Sequence, residues 1–358
     1  MSFLSRAFGG KPDRPSAPKR INLALQGGGA HGAFTWGVLD QLLEDGRLAI
    51  EGISGTSAGA VNAVMLADGL RRGGGEEARK RLAEFWRAAS VGGDLPPLQR
   101  AVVGRLFSLL PAEGPTLDWL TAWSRYLSPY DVNPLNINPL KELIERFVDF
   151  EALRADPRPI FIAATNVQTG QLHIFPHDKI SAEAVMASAC LPAVFRAVEI
   201  DGVHYWDGGY LGNPVLFPFL HAAPVEDVLI VQINPLMRRK LPTSTREIMA
   251  RVNEITFNAP LMAELRAVEF VNRQIDAGRI PRGTGKDDYR RLNVHRIVLE
   301  GLGERFSSAT KLRNDYQSFD LLRKLGQRAT RRFLDAHYDD IGVKSSIGLS
   351  AEVYAEQG

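Results

Sequence analysis

The sequence predicts a single α/β domain built around a mostly parallel central sheet. Short apolar runs that are typical of buried strands alternate with amphipathic helical patterns over most of the chain. Near its beginning, an apolar run, a helical pattern and a second apolar run follow one another within about thirty residues, which is typical of a parallel βαβ unit. A length of 358 residues with 45% hydrophobic residues is enough to enclose a large core.

We place the borders of the domain at residues 20 and 340. Residues 1–20 carry prolines, serines and basic side chains without periodicity, so we expect a disordered basic N-terminal tail there. Residues 21–340 are expected to form the domain, and residues 341–358 a C-terminal tail. Cys190 is the single cysteine and the first residues lack the apolar core of a signal peptide, which together predict a cytoplasmic protein.

Two glycine-rich turns organise the first half of the domain. Gly27–Gly32 and Gly55–Gly59 each join an apolar strand pattern to a helical pattern. The predicted elements here are strands at Ile21–Leu25 and Ile50–Ile53, helices at Ala33–Leu43, Ala60–Leu66 and Glu76–Ala89, and a loop at Arg71–Gly75.

Residues 91–138 differ in character from the rest of the domain. Six prolines separate short apolar pieces that carry tryptophan and tyrosine side chains. Two interpretations are open for this insert: a lid or acyl-chain groove, or short helices packed on the core.

The second half returns to alternating strands and helices. We expect the second helix of a pair to be capped by Asn258, with Pro260 in its first turn, where the missing N–H is not needed. The predicted strands are Pro159–Thr165, Gln171–Phe175, Val203–Trp206, Val228–Ile233 and Arg296–Leu299. The predicted helices are Pro139–Phe147, Ser181–Ser188, Thr243–Phe257, Pro260–Ala277 and Thr310–Ala336.

The second glycine turn has the spacing of a nucleophile elbow. Gly55, Ser57 and Gly59 match the pattern G-x-S-x-G, in which a tight strand-to-helix turn presents a serine hydroxyl at the edge of a sheet. The pattern is short, and a glycine–serine turn without catalysis is the alternative. The predicted strand before it and helix after it favour the elbow.

The first glycine turn has two interpretations. Successive N–H groups of Gly27–Gly32 near a helix N-terminus can form an oxyanion hole. The same loop fits the dinucleotide fingerprint G-x-G-x-x-G, and Glu51 lies near the spacing expected of the acidic residue that binds ribose. The elbow downstream favours the oxyanion hole, since the fingerprint gives that second turn no role.

A nucleophilic serine needs a base, and Asp207 is the best candidate. It ends a predicted strand and is followed by Gly208 and Gly209, which allow close approach to another part of the backbone. A simple Asp-Gly turn is the alternative. The histidines that follow in the chain lack a marked turn, and we expect structural roles for them: His221, His295 and His337. The S-x-x-K pattern at Ser308 is expected to be a helix cap, formed by Ser308 or Thr310.

Four blocks in this order resemble the patatin-like phospholipase family. They are Gly27–Gly32, Gly55–Gly59, Ala187–Pro192 and Asp207–Gly209. The resemblance implies a three-layer α/β/α patatin-like fold and a Ser57–Asp207 dyad that acts on acyl esters of lipids without a metal or cofactor. It also implies an oxyanion hole formed by Gly27, Gly28, Gly29 and His31. Many members have Arg or Lys at the position of His31, and Asp is frequent at that of Gln26.

The predicted function is therefore a serine lipid acyl hydrolase of the phospholipase A or lysophospholipase type. Two alternatives remain open: a dinucleotide-binding oxidoreductase or regulatory module that uses Gly27–Gly32, and a weakly active, membrane-associated scaffold. A net charge of +2 does not indicate nucleic-acid binding. Residues 311–332 hold seven basic and two acidic side chains, which predicts either peripheral contact with an anionic inner membrane surface or a solvated helix face. The oligomeric state is left open, with a homodimer as one option.

Overall fold

A computed structural model of the chain describes residues 17–90, 128–132, 139–192, 195–221, 225–238, 240–283, 288–300 and 315–353. The described strands are β1 Lys19–Leu25, β2 Leu48–Thr56, β3 Ile160–Asn166, β4 Leu172–Phe175, β5 Val198–Ile200, β6 Val203–Asp207, β7 Asp227–Gln232 and β8 Asn293–Val298. The described α-helices are α1 Gly32–Asp45, α2 Ala58–Ala88, α3 Pro129–Val132, α4 Pro139–Phe147, α5 Phe150–Arg154, α6 Ala182–Ser188, α7 Thr245–Asp276, α8 Tyr316–His337 and α9 Leu349–Val353.

The strands form one mixed, mostly parallel sheet in the order β5-β6-β3-β2-β1-β7-β8, with β4 also paired to β3. The four central pairings from β3 to β8 are parallel, and the antiparallel pairings lie at the β5–β6 end. In the register of β1, Leu25 is opposite both Gly55 of β2 and Val231 of β7. The turns that follow these three strands therefore meet at one edge of the sheet.

Helices cover both faces of the sheet, as predicted for a three-layer α/β/α fold. Leu23 and Leu25 of β1 join a large core with side chains of α1, α2 and α8. Ala24, between them, points to a second core that includes Leu261 and Leu265 of α7. Because neighbouring side chains of a strand point to opposite faces, the two cores lie on either side of the sheet.

Most predicted strands and helices are confirmed, with longer bounds at several ends. β1 begins at Lys19, inside the expected tail, and β2 extends from Leu48 to Thr56. The break predicted at Arg71–Gly75 is confirmed, because α2 consists of two helical segments that meet at a kink where Gly73 and Gly74 leave helical geometry. α9 forms within residues 341–358, where Ser350 Oγ donates to Glu269 Oε1 of α7 at 3.2 Å.

The prediction of two helices over residues 243–277 is wrong, because α7 runs through Pro260 without a break. Asn258 does not cap a helix. Its amide donates to Pro235 O at 3.0 Å, and its oxygen accepts from Gln26 Nε2 at 3.0 Å. A proline removes one helical hydrogen bond, and burial of the surrounding apolar face in the second core offsets that loss.

Several expectations fall outside the described residues. These include most of the insert at 91–138, of which only α3 is described, and both Ser308 and Thr310. At the start of α8, Asp315 accepts from Ser318 N at 2.8 Å and is the N-cap residue. None of the described helices is both long enough and apolar enough to cross a membrane.

Candidate active site

Ser57 occupies a strained position between β2 and α2. Its φ is 53° and its ψ is −123°, a combination that is rare for residues with a side chain. The turn is tight because Gly59 packs directly on β1. A Cβ atom on Gly59 would lie 2.1 Å from Leu25 O, and one on Gly55 would lie 2.6 Å from Gly59 O. Only glycine fits at these two positions of the elbow.

Two side-chain hydrogen bonds hold the elbow in place. The backbone N–H of Ser57 donates to Ser188 Oγ, at the end of α6, at 2.9 Å. The hydroxyl of Thr56 donates to Gly212 O at 2.6 Å. Ser188 lies in the third sequence block, Ala187–Pro192, so this block contacts the serine directly.

Asp207 is brought to the elbow by β6. Strand β6 pairs with β3 so that Asp207 is opposite Ala164, and its N–H donates to Cys190 O at 2.8 Å. The following glycine lies against β3, where a Cβ atom on Gly208 would be 2.2 Å from Ala163 O. Close backbone packing on both sides leaves the Asp207 side chain fully buried.

Burial raises the pKa of the Asp207 carboxyl to about 7. Two groups limit this rise: the N–H of Gly209, which donates to Oδ1 at 2.7 Å, and the nearby hydroxyl of Ser57. Oδ2 is buried and has no hydrogen-bond partner of standard geometry among the described residues. The carboxyl therefore has an available oxygen beside the serine and a pKa suited to proton transfer near neutral pH.

The thiol of Cys190 borders this carboxyl but is poorly placed to react. Burial, followed by the charge of Asp207, raises the pKa of Cys190 to about 12. The thiol donates to Arg196 O at 3.0 Å. A thiol with this pKa stays protonated near neutral pH, which makes it a weak nucleophile.

The first glycine loop lies beside the elbow, and its glycines differ in whether their N–H groups are already hydrogen-bonded. The N–H of Gly27 donates to Asn213 Oδ1 at 2.6 Å, and its carbonyl accepts from Asn234 Nδ2 at 2.8 Å. Gly27 is thereby fixed to the protein, and its N–H is already used. The N–H groups of Gly28 and Gly29 make no hydrogen bond to the described part of the chain, which leaves them available to an anion.

Gln26 anchors the base of this loop. Its Oε1 accepts from the N–H groups of Ile233 and Asn234, both at 2.8 Å, and its Nε2 donates to Asn258 Oδ1. The side chain ties β1, the end of β7 and α7 together at the carboxyl edge of the sheet. Sequence reasoning missed Asn213 and Asn234 in this network, because no local pattern distinguishes them from other loop asparagines.

His31 ends the short 3₁₀ turn Gly29–His31 that precedes α1, and its N–H donates to Gly28 O at 3.3 Å. It is half-buried, at the rim of the loop. Glu51 is not near this loop. It lies beside the start of β1, about 17 Å along the strand from the end of β2, and pairs with Arg20 at 2.9 Å. The acidic residue of the dinucleotide interpretation is therefore at the wrong end of the sheet.

The candidate histidines have partners of their own. A ring nitrogen of buried His295 lies 3.0 Å from Asp227 Oδ1, and one of His337 lies 2.9 Å from Asp340 Oδ2. The ring of His221 packs against the rings of Phe217 and Tyr289, at 5.2 and 4.5 Å between centroids. Within the described residues, none of the three forms a hydrogen bond with Ser57.

Replacing Gly59 with alanine should destabilise the fold by roughly 3 kcal/mol, since the new methyl group overlaps the carbonyl of Leu25. Urea denaturation measures this change. Gly75→Ala, at the start of the segment of α2 beyond the kink, is the control, because the nearest atom to its new methyl group would be 3.7 Å away. Its free energy of unfolding should change by less than about 1 kcal/mol. Equal effects of the two substitutions would contradict the tight elbow.

Comparison with known proteins gives a family match and distant relatives. A family model described as patatin-like phospholipase matches residues 23–222, more than half of the chain. An uncharacterized NTE family protein of Mycobacterium tuberculosis is 29% identical over 200 residues, which are 55% of this chain and 45% of that protein. The uncharacterized protein YjjU of Escherichia coli is 26% identical over 197 residues, 55% of this chain and 47% of that protein. The chain thus matches about half the length of these relatives.

Two solved structures are also similar. VipD from Legionella pneumophila is 17% identical, and the superposition covers 90% of this chain and 68% of that chain with a TM-score of 0.41. The ExoU–SpcU complex from the type III secretion system of Pseudomonas aeruginosa contains a chain that is 17% identical. Its superposition covers 96% of this chain and 76% of that chain, with a TM-score of 0.30. The family match ends before β7, so β7, α7, β8 and α8 lie outside it.

Proposed function

This chain belongs to the patatin-like phospholipase family, and from that premise we propose that it is a serine lipid acyl hydrolase. The reaction is cleavage of a fatty-acyl ester through an acyl-enzyme on Ser57, with Asp207 as the base. The observation that carries the proposal is the strained Ser57 beside a buried carboxyl whose pKa is about 7. A serine held this way has no evident structural purpose, and strain of this kind concentrates at active sites.

Acylation follows from these two side chains. Ser57 Oγ forms a bond to the ester carbonyl carbon while Asp207 accepts the hydroxyl proton, and the carbonyl electron pair moves onto oxygen. The tetrahedral intermediate then breaks its bond to the alcohol oxygen, which takes the proton from Asp207. An ordinary aspartate is a poor base for an alcohol, and the raised pKa of Asp207 reduces that mismatch.

Deacylation repeats the sequence with water as the nucleophile. Asp207 accepts a proton from water as the water oxygen attacks the acyl carbon, and Ser57 regains its proton when the fatty acid leaves. Asp207 ends the cycle ionised, ready to accept the next serine proton.

The developing oxyanion is assigned to the N–H groups of Gly28 and Gly29. They are unpaired within the described residues, next to the elbow, and at the N-terminal side of α1, whose dipole favours negative charge. Loss of one such donor typically lowers kcat by about 10²- to 10³-fold. His31 sits at the rim, where its ring would help when protonated, and Gly27 serves by orienting its neighbours through Asn213.

The fluorophosphonate class of serine-hydrolase probe tests the proposal. The probe should label wild-type protein at Ser57, identified by peptide mass analysis, and pretreatment should abolish ester cleavage. A panel of phospholipids, lysophospholipids and neutral esters, with fatty-acid release as the readout, then identifies the substrate class. Protein that takes up no label and cleaves no ester of the panel would rule out the hydrolase. Saturable NAD binding by such a protein would instead favour a dinucleotide-binding role.

A further inference from the structure

Exposed apolar side chains concentrate on one side of the first three turns of α7 and on the loop before it. The members of this surface, which we call the α7 apolar face, are 44% to 80% exposed. Large exposed apolar patches on a protein surface generally mark a binding site. The α7 apolar face consists of Met237, Leu241, Ile248, Met249, Val252 and Ile255.

The polarity of these turns is inverted relative to a helix that packs on a protein core. The inward side carries Glu254, which is 9% exposed and pairs with Arg238 and Arg251. Arg251 also donates to Leu236 O at 2.8 Å, which holds the loop along the helix. A surface helix normally buries its apolar stripe and exposes its charges. Here the ion pairs face the protein and the apolar side chains face outward.

The α7 apolar face borders the candidate active site. Two residues beyond Ile255, on the inward side of α7, the ring of Phe257 packs on the Asp207 turn, where it is 5.3 Å from the Tyr210 ring and fills the space a side chain on Gly209 would need. The loop that carries Met237 leaves the sheet directly after Asn234, which binds Gly27. The face is therefore joined to the two turns that hold the candidate catalytic groups through α7 and through the loop before it.

Basic side chains outnumber acidic ones along the face, since residues 237–255 hold five arginines and lysines and two glutamates. Besides the pairs made by Glu254, Lys240 lies 3.6 Å from Glu247. These pairs offset only part of that positive charge, and in the basic segment 311–332 Arg323 and Lys324 likewise share one carboxylate, that of Asp320. An apolar helix face flanked by an excess of basic side chains is typical of helices that lie in the interface of a lipid bilayer.

We propose that the α7 apolar face inserts into the surface of a phospholipid bilayer and thereby presents acyl esters to Ser57. This inference rests on the proposed function, because the bilayer is taken to be the surface that holds the enzyme's lipid substrate. Insertion of apolar side chains beside the site lets a lipid pass from the bilayer to the elbow without crossing water. It assigns membrane contact to α7 rather than to the basic segment of α8.

Vesicle co-sedimentation tests the proposal without relying on catalysis. The Ser57→Ala protein should bind vesicles of pure phosphatidylcholine, and sodium chloride should not release it, because the contact is apolar. Adding Met249→Asp and Val252→Asp should weaken vesicle binding by roughly tenfold or more. Val343→Asp is the matched control, since Val343 is 72% exposed and lies beyond α8, and it should bind like its parent.

A second measurement separates this proposal from the proposed function. With active Ser57, the double Asp variant should retain cleavage of a soluble short-chain ester and lose cleavage of vesicle lipid. Vesicle binding by a protein that cleaves no ester would support membrane contact by the α7 apolar face and contradict the hydrolase function. Unchanged vesicle binding in the double variant would overturn the proposal. It would equally be overturned if the parent failed to bind vesicles and the variant changed only from dimer to monomer, which would identify a subunit interface.

Discussion

Replacement of Ser57 with alanine is expected to lower fatty-acid release by roughly 10⁴- to 10⁶-fold. The change removes the atom that we propose forms the acyl-enzyme, and it leaves the neighbouring donors in place. Alanine can occupy the same backbone position, and the contacts of the elbow glycines are unaffected. The protein should therefore fold, bind substrate and fail in catalysis. A much smaller decrease in fatty-acid release would mean that another nucleophile carries the reaction.

A second substitution at the same position separates catalysis from strain. At φ 53° and ψ −123°, glycine has a lower conformational energy than alanine or serine, because it has no Cβ to clash with the backbone. We expect Ser57→Gly to be as inactive as Ser57→Ala. Its free energy of unfolding should exceed that of Ser57→Ala by roughly 1–3 kcal/mol. Urea denaturation of the two variants measures the difference. Equal stabilities would show that Ser57 is not strained by the turn.

The elements that carry the elbow could be predicted because their signals are local. Ile21–Leu25 and Ile50–Ile53 are continuous apolar runs, and each ends in a glycine turn before a helical pattern. Strand, turn and helix are determined there by adjacent residues, and the parallel pairing follows from the βαβ connection. Gly55 and Gly59 were correctly expected in a tight turn, since the turn is formed by the motif itself.

Helix α7 could not be predicted correctly for a physical reason. Asn258 and Pro260 are typical of a helix start, and in isolation the chain would break there. In the fold, Leu261 and Leu265 bury their side chains in the second core, and Asn258 bonds to Gln26 and Pro235 instead of capping. Tertiary contacts between distant segments overrode a local signal.

Some residues of the candidate site could be predicted from local patterns, and others could not. Ser57 and Asp207 stand out in the sequence because each lies in a glycine-marked turn. Asn213, Asn234 and Ser188 fix those turns through hydrogen bonds to segments far away in the chain, and their own surroundings carry no distinguishing pattern. The occupied N–H of Gly27 was likewise beyond sequence reasoning, because a glycine pattern does not show which N–H groups are already bonded. Only the folded sheet edge distinguishes them.

Replacement of Asp207 with asparagine should abolish most activity and stabilise the fold at alkaline pH. The amide is close in shape, and its oxygen can still accept from Gly209 N, so the turn should be preserved. Loss of the base should lower kcat by roughly 10²- to 10⁴-fold. Wild-type activity should rise with pH up to about 7 and level off above it, since the carboxyl must be ionised to act. Activity of the variant should lack that rise.

The stability effect follows from the same carboxyl. Its pKa is about 7 in the native protein and about 3.9 in an unfolded chain, so between these values the native state keeps a proton that the unfolded state has released. The free energy of unfolding must therefore fall as pH rises from about 4 to about 7, and the loss persists above that. The shift corresponds to a loss of about 4 kcal/mol, which the neutral amide of Asp207→Asn would not suffer.

Urea denaturation across this pH range measures the effect directly. Relative to wild type, Asp207→Asn should gain stability progressively between about pH 4 and pH 7. Asp178→Asn is the matched control, because Asp178 is exposed, and it should show no such gain. A variant that kept wild-type activity would require a different base. Parallel stability curves for wild type and Asp207→Asn would mean that the carboxyl is not buried as described. A gain in stability together with a loss of activity would mean that this buried charge is retained for catalysis at the expense of the fold.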